Sequence, residues 1–406
     1  MAGQKQSMNA AGGMAWGVRD LRLDFFRGLS LFFIFIDHIP ENLLSYFTFR
    51  SVAFSDAAEV FIFISGFTAA LVYGRSFEEH GGLYATAQIY RRVWQLYVAH
   101  IFLFVIFTAE VSYTIFAVRN PMYADEMGVG DFLEQPHLAI IRTLFLGFQP
   151  NFLDILPLYI VLLMGFPLVL FLLRRHSLLP VALSGLLYAT VLLRGWAPKT
   201  FPADHAWFFN PLAWQFLFVI GATAGYSRVT GSWPFPSGKW LKYLSIAITV
   251  FCAIISLSWM MHWFYDPFPP FLAKQLYNHT IDKTNLAPLR LINFLAIAVT
   301  TIAFVKPASA FLHKSWAWPV ILCGQHSLYV FCVGIVLSVL GHFLLAELYG
   351  GIWMQAAVNL GGIGVMIATA LLLEWFKAAG RRPPGSRPHS RSRQGAMHAA
   401  PSESPR

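Results

Sequence analysis

Ten apolar stretches dominate the sequence and constrain its fold more than any other feature. A helix needs about 20 residues to cross the hydrocarbon core of a bilayer, and the chain offers such stretches near residues 22–40, 59–74, 93–117, 155–173, 178–194, 211–227, 242–262, 288–305, 317–345 and 352–376. Hydrophobic residues make up 57% of the chain and charged residues 12%, against about 25% charged residues in soluble domains. The sequence therefore predicts an all-α, polytopic integral membrane protein with about ten transmembrane helices.

The basic residues predict the orientation of these helices. Loops on the cytoplasmic side of a membrane are enriched in Lys and Arg, and a cytoplasmic N-terminus places 21 of the 29 Lys and Arg residues in inside segments. Both termini are therefore expected in the cytoplasm. The same distribution accounts for the net charge of +9, so a nucleic-acid partner is not expected.

The chain divides into three regions. Residues 1–18 are polar and rich in Gly and Ala, without the apolar segment of a cleavable signal peptide, and are expected to be disordered. Residues 19–378 are expected to form the membrane domain, in which 317–345 is long enough to be tilted or kinked. Residues 379–406 are expected to form a disordered basic tail. The aromatic, proline-rich segment 264–285 is typical of a structured binding loop.

The first apolar stretch carries a basic residue at one end and a titratable group at the other. Arg27 and His38 are eleven residues apart, so they return to nearly the same face of a helix, separated by about 16 Å of rise. Asp56 and Glu59 lie at the start of the second stretch, on the side of the membrane where the first stretch ends. Asp37 directly precedes His38 in the sequence. Ionisable groups inside a membrane are functional candidates by default. We expect His38 to be a general base and Asp37, Asp56 and Glu59 to be candidate partners that orient it.

A second set of polar residues gives weaker indications. Arg91 and Arg92 begin the third stretch and are either an anion site or a topology signal, and the remaining candidates are Asp154, Asn210, Gln215, Lys283, Arg290 and His326. Asn210 precedes a proline and could cap a helix instead. A helix–helix hydrogen bond is the favoured role for His326. Lys283 and Arg290 are expected on the outer side, either facing an anionic group or solvated.

Two further interpretations concern small residues. Ser65 and Gly66 favour close packing of helices. Cys252, Cys323 and Cys332 lie in apolar segments without metal-ligand spacing, so they are interpreted as packing residues and no metal site is expected.

Several motifs resemble one family of membrane acyltransferases. Its pattern is similar to the segments "RDLRLDFFRGLSLFFIFIDHIP", "FSDAAEVFIFISG", "YRRVWQLYVAH", "DILPLYIVLL", "FNPLAWQFLFVIG", "DKTNLAPLRLINFLA" and "GQHSLYVFC". They resemble the OpgC branch of the acyltransferase-3 superfamily, which is named for succinylation of osmoregulated periplasmic glucans. The likeness extends from about Arg19 to Phe376.

The resemblance implies a reaction and its participants. It implies a multi-pass protein of the bacterial inner membrane that transfers an acyl group from a cytoplasmic acyl-coenzyme A, with succinyl-coenzyme A favoured, to hydroxyls of a glucan or a related envelope polysaccharide. His38 matches the proposed catalytic histidine of the family, Arg27 its paired arginine, and Arg91 and Arg92 its basic pair. Guanidinium groups suit the phosphates of coenzyme A. The alternatives are a proton-coupled transporter of a small solute and a non-catalytic membrane scaffold.

Overall fold

A computed structural model describes residues 19–202, 205–260, 281–348 and 350–380. The expected disordered N-terminal segment, nearly all of the tail and most of the 264–285 loop lie outside these described residues. Within them the chain is helical, apart from an isolated bridge between Lys199 and Ala206.

Eleven longer helices organise the described chain. We number them α1 (Leu21–Asp37), α2 (Ala57–His80), α3 (Gly82–Val118), α4 (Ile155–Arg175), α5 (Leu179–Arg194), α6 (Pro211–Thr230), α7 (Lys239–Met260), α8 (Pro288–Phe304), α9 (Ala317–Gln325), α10 (Ser327–Glu347) and α11 (Ile352–Gly380). Each predicted stretch coincides with a helix, and 317–345 is divided between α9 and α10 at His326.

Six of these helices are long and apolar enough to cross a membrane. They are α2, α3, α4, α7, α10 and α11, while α5 and α8 are shorter apolar helices. The remaining α1, α6 and α9 carry polar groups or are short, and α1 has only 17 residues. The all-helical membrane fold is therefore confirmed, with six candidate spans by length and hydropathy.

Side chains near the helix starts and small residues at the crossings explain why these helices pack as they do. Asp56 caps α2 by accepting a hydrogen bond from the Ala58 backbone, which satisfies one of the free amides at a helix start. A Cβ atom at Gly66 in α2 would overlap the carbonyl oxygen of Phe218 in α6, so these helices can touch only because this residue lacks a side chain. The predicted packing role of Gly66 is confirmed.

Candidate active site

His38 is the residue that ends α1, and its side chain lines a cavity of about 620 Å³. The walls also include the segment 45–58, the residues before α4, and the start of α8. The ionisable lining residues are Asp37, His38, Arg50, Asp56, Asp154, Lys283 and Arg290. Hydroxyl groups come from Ser45, Tyr46, Ser51, Ser55 and Ser256. The first helix therefore delivers its histidine to a polar chamber.

The imidazole of His38 is held by its own helix. Its Nδ1 atom lies 2.5 Å from the carbonyl oxygen of Ile34. A carbonyl oxygen only accepts hydrogen bonds, so Nδ1 must carry the proton in the neutral ring, and Nε2 keeps its lone pair. Among the described residues, no carboxylate is bonded to this ring, and Asp37 instead accepts a hydrogen bond from the Thr48 hydroxyl at 2.7 Å. The expected carboxylate partner is thus replaced by a backbone carbonyl.

Asp56 and Glu59 are engaged elsewhere, in a buried ion-pair network. The guanidinium of Arg290 lies 2.6 Å from Glu59 and 3.1 Å from Asp56. Glu59 also accepts a hydrogen bond from the Asp56 backbone at 2.8 Å, and its side chain is fully buried. These carboxylates therefore join the start of α2 to the start of α8. The network explains why neither of them orients His38.

Lys283 completes the charged wall of the cavity. Its ammonium group lies 2.8 Å from Asp56 and over the rings of Phe208 and Phe209, 5.8 and 5.3 Å from their centroids. Asp154 lies in the same cavity, and burial raises the pKa of its carboxyl to about 6. The predicted site residues that line this chamber together with His38 are Asp37, Asp56, Asp154, Lys283 and Arg290.

A smaller cavity of about 190 Å³ lies beside Arg27. The Arg27 guanidinium donates through Nη2 to the Thr68 hydroxyl at 2.6 Å and to the Ile64 carbonyl at 3.3 Å. Its Nε is buried without a hydrogen-bond partner. Arg92 lines this cavity as well, whereas Arg91 is exposed and does not. The basic pair is therefore split, and only Arg92 joins Arg27.

Phe331 forms a wall common to the two cavities. It lines both of them and is almost fully buried. Its ring lies 6.2 Å from that of Phe61, which lines the Arg27 cavity. The smaller cavity beside Arg27 and the larger cavity beside His38 are thus neighbours that share the Phe331 side chain.

Three of the weaker candidates lie away from both cavities. Asn210 caps α6 by accepting from the Leu212 backbone, and it is fully buried. Gln215 bonds to Ser184 between α5 and α6. His326 lies 3.1 Å from Glu374 of α11. The capping alternative for Asn210 and the helix–helix interpretation of His326 are confirmed.

The sequence interpretation missed three residues around His38. Phe152 places its ring against the imidazole, with 4.7 Å between ring centroids. Arg50, interpreted only as part of the topology pattern, and Phe331 also line the chamber. A phenylalanine carries no distinguishing signal in a chain with 38 of them, whereas Arg50 is a cation between the first two apolar stretches, close in sequence to His38 and Asp56.

Comparisons with known proteins identify the family of the chain. The family model described as OpgC protein matches residues 19–378. No curated protein and no solved structure matches the chain. Because this match covers most of the 406 residues, the chain belongs to the OpgC family.

Proposed function

We propose that this protein is a membrane O-acyltransferase that moves a short acyl group, succinyl in the first instance, from acyl-coenzyme A to hydroxyls of a periplasmic glucan or a related envelope polysaccharide. The observation that carries the proposal is the state of His38. Its Nδ1 is bonded to a carbonyl at 2.5 Å, and the residue lines a polar cavity. An imidazole fixed in this tautomer offers Nε2 as a base.

The donor is proposed to occupy the smaller cavity. Arg27 and Arg92 both line it, and guanidinium groups are suited to the phosphates of coenzyme A. Arg27 lies in the second turn of α1 and His38 follows its last residue, about 16 Å farther along the helix axis. An extended, uncharged pantetheine arm passing Phe331 would carry the thioester toward His38, since that side chain lines both cavities.

The chemistry then requires one base and no protein nucleophile. His38 Nε2 removes the proton from a sugar hydroxyl as its oxygen attacks the thioester carbonyl. The new carbon–oxygen bond forms, the carbon–sulfur bond breaks, and the departing thiolate of coenzyme A takes the proton back from the imidazolium. Because the histidine acts only on the proton, an exposed nucleophilic serine or cysteine is not needed in this scheme.

The larger cavity is proposed to bind the acceptor. Its hydroxyl-bearing residues can hydrogen-bond a sugar, and the rings of Tyr46 and Phe208 are 52% and 48% exposed. Aromatic rings present large flat surfaces with a polar tip in tyrosine, and such surfaces suit the apolar faces of sugar rings. In this proposal the cavity opens to the periplasm, both termini are cytoplasmic, the protein lies in the bacterial inner membrane, and all ten predicted stretches cross it.

A proton-coupled transporter is the competing function. One observation favours it. The two cavities share the Phe331 side chain, and this arrangement also suits a solute path with a gate. Transport would use the same buried groups as a proton relay. Transfer of an acyl group, in contrast, requires covalent modification of the acceptor.

The test compares envelope glucans from cells that carry the wild-type protein, His38→Gln, His80→Gln or no protein. Mass spectrometry should find succinyl esters with the wild type and with His80→Gln, because His80 is exposed on α2. His38→Gln should lower acyl incorporation at least about 100-fold, which is the scale of general base catalysis, with unchanged protein level in the membrane. Equal acylation in cells with and without the protein would overturn the proposal, and solute accumulation that depends on His38 would support the transporter.

A further inference from the structure

Phe152 occupies a backbone position that a phenylalanine rarely takes. The Leu153 amide donates to the Pro150 carbonyl at 3.1 Å, which closes a four-residue turn. Phe152 is the third residue of this turn and has a φ of +73°, whereas Asn151 before it has no positive φ. This pattern is that of a type II turn, whose third position normally belongs to glycine or asparagine.

The surrounding chain forces this conformation. The backbone amide of Asn151 donates to the Met127 carbonyl at 3.1 Å, and its side chain donates to the Glu126 carbonyl at 2.8 Å. On the other side, Leu153 is buried in the core at 1% exposure. With both neighbours fixed, the turn keeps the residue between them in the left-handed region. A strained backbone conformation persists where contacts of the neighbouring residues hold it, and such residues cluster at functional sites.

The strained turn delivers the aromatic ring to His38. The ring centroids of Phe152 and His38 are 4.7 Å apart and the ring planes are 86° to each other. This perpendicular geometry is one that aromatic pairs prefer. The imidazole is also held by the hydrogen bond from Nδ1 to the Ile34 carbonyl. Without the Phe152 ring, the imidazole could rotate about this bond.

We propose that Phe152 is a positioning residue that prevents rotation of the imidazole and keeps Nε2 of His38 directed into the larger cavity. The inference rests on the proposed function, since it assigns to the turn the task of orienting the base. Phe152 acts through His38, so its loss should lower the rate of transfer without weakening the binding of either substrate. A small displacement of a reacting group is enough for a large loss of rate.

Phe152→Gly is the sharpest variant, because glycine removes the ring and also relieves the strained backbone. The ring also packs against the apolar core, so its loss lowers stability while the relieved backbone raises it, and the melting temperature checks that the variant stays folded. In the folded variant kcat should fall at least about tenfold, and both KM values should stay within about twofold. Phe152→Tyr retains a ring at the same place and should restore kcat to within about threefold. Arg119→Gly is the matched control, because Arg119 is exposed at the end of α3 with a φ of +59°. It should relieve the same kind of strain without changing kcat.

A second measurement does not depend on acyl transfer. Diethyl pyrocarbonate acylates accessible imidazole nitrogens, and mass spectrometry of the peptide that contains His38 gives its rate of modification. Phe152→Gly should change that rate severalfold, and Arg119→Gly should not. The inference would be overturned if Phe152→Gly changed neither the modification rate of His38 nor kcat. It would also be overturned if the variant raised only the KM for the acceptor, since Phe152 would then be part of the acceptor-binding surface. Absence of any transfer by the wild type would instead reject the proposed function, with the modification rate still testing Phe152.

Discussion

Replacing Arg290 by methionine should destabilise the protein more than any other single change in the charged wall of the larger cavity. Its guanidinium lies 2.6 Å from the carboxylate of Glu59, and the two side chains are 7% and 0% exposed. Removing one partner of such a pair leaves the other charge buried without compensation, which costs about 3–5 kcal/mol. Asp56 contributes little to this loss, because it keeps Lys283 at 2.8 Å.

The double variant Glu59→Met, Arg290→Met supplies the decisive comparison. Replacing both charges by apolar groups of similar volume is often close to neutral. It still removes the bond from Glu59 to the Asp56 backbone that helps to cap α2, which is worth about 1 kcal/mol. The double variant should therefore be more stable than Arg290→Met by about 2–4 kcal/mol.

Equilibrium unfolding in mixed detergent micelles measures these differences, with Arg142→Met as the control because Arg142 is exposed. The control should lie within about 0.5 kcal/mol of the wild type. If Arg290→Met costs less than about 1 kcal/mol, or if the double variant is less stable than the single one, then the network does not hold the two helix starts together. A stable double variant that transfers no acyl group would show that transfer needs Glu59 or Arg290, of which Arg290 lines the larger cavity.

Three further changes test the other parts of the structure. Arg27→Met and Arg92→Met should each weaken the binding of acyl-coenzyme A about tenfold or more, because each removes a charge-assisted hydrogen bond. Isothermal titration calorimetry measures this affinity, and Arg91→Met should bind like the wild type. If Arg91→Met lost as much affinity as the other two variants, the assignment of the smaller cavity would be refuted. Phe331→Trp should lower kcat while the donor still binds, since a larger ring fills the wall between the cavities; unchanged kcat would mean that the donor does not pass there. Gly66→Leu should lower the yield of folded protein by driving α2 from α6, and normal thermal stability would contradict the close packing.

Much of the fold was accessible from the sequence because a bilayer imposes a length and a polarity on each helix. The apolar stretches locate all eleven longer helices within a few residues at most ends. The unusual length of 317–345 predicts a tilted or kinked helix, and the structure divides this stretch into two helices at His326. The spacing of Arg27 and His38 predicts that one helix supplies both groups, and each of them lines a cavity.

The partners of these residues could not be predicted in the same way. The bond between Arg290 and Glu59 joins positions 231 residues apart, and periodicity within a helix says nothing about such pairs. A signal did exist for His38, since a backbone carbonyl can accept two hydrogen bonds and the Ile34 carbonyl lies one helical turn before it. This carbonyl also accepts a bond from the His38 backbone amide at 3.1 Å. We expected one of three carboxylates to orient the imidazole. Arg290 instead pairs with Asp56 and Glu59, and the Thr48 hydroxyl donates to Asp37.

The break between α9 and α10 links the packing of α1 to the proposed reaction. A Cβ atom at Gly28 of α1 would overlap the Val320 carbonyl, and one at Gly324 of α9 would overlap the Asp24 carbonyl, so these two helices meet backbone to backbone. The chain then turns at His326, and the first turns of α10 place Ser327 and Phe331 in the wall of the Arg27 cavity. The other walls of this cavity come from α1, α2, α3 and α4, and α10 packs against α1 as well. The small residues that bring α9 close to α1 therefore also help to place the wall between the two cavities.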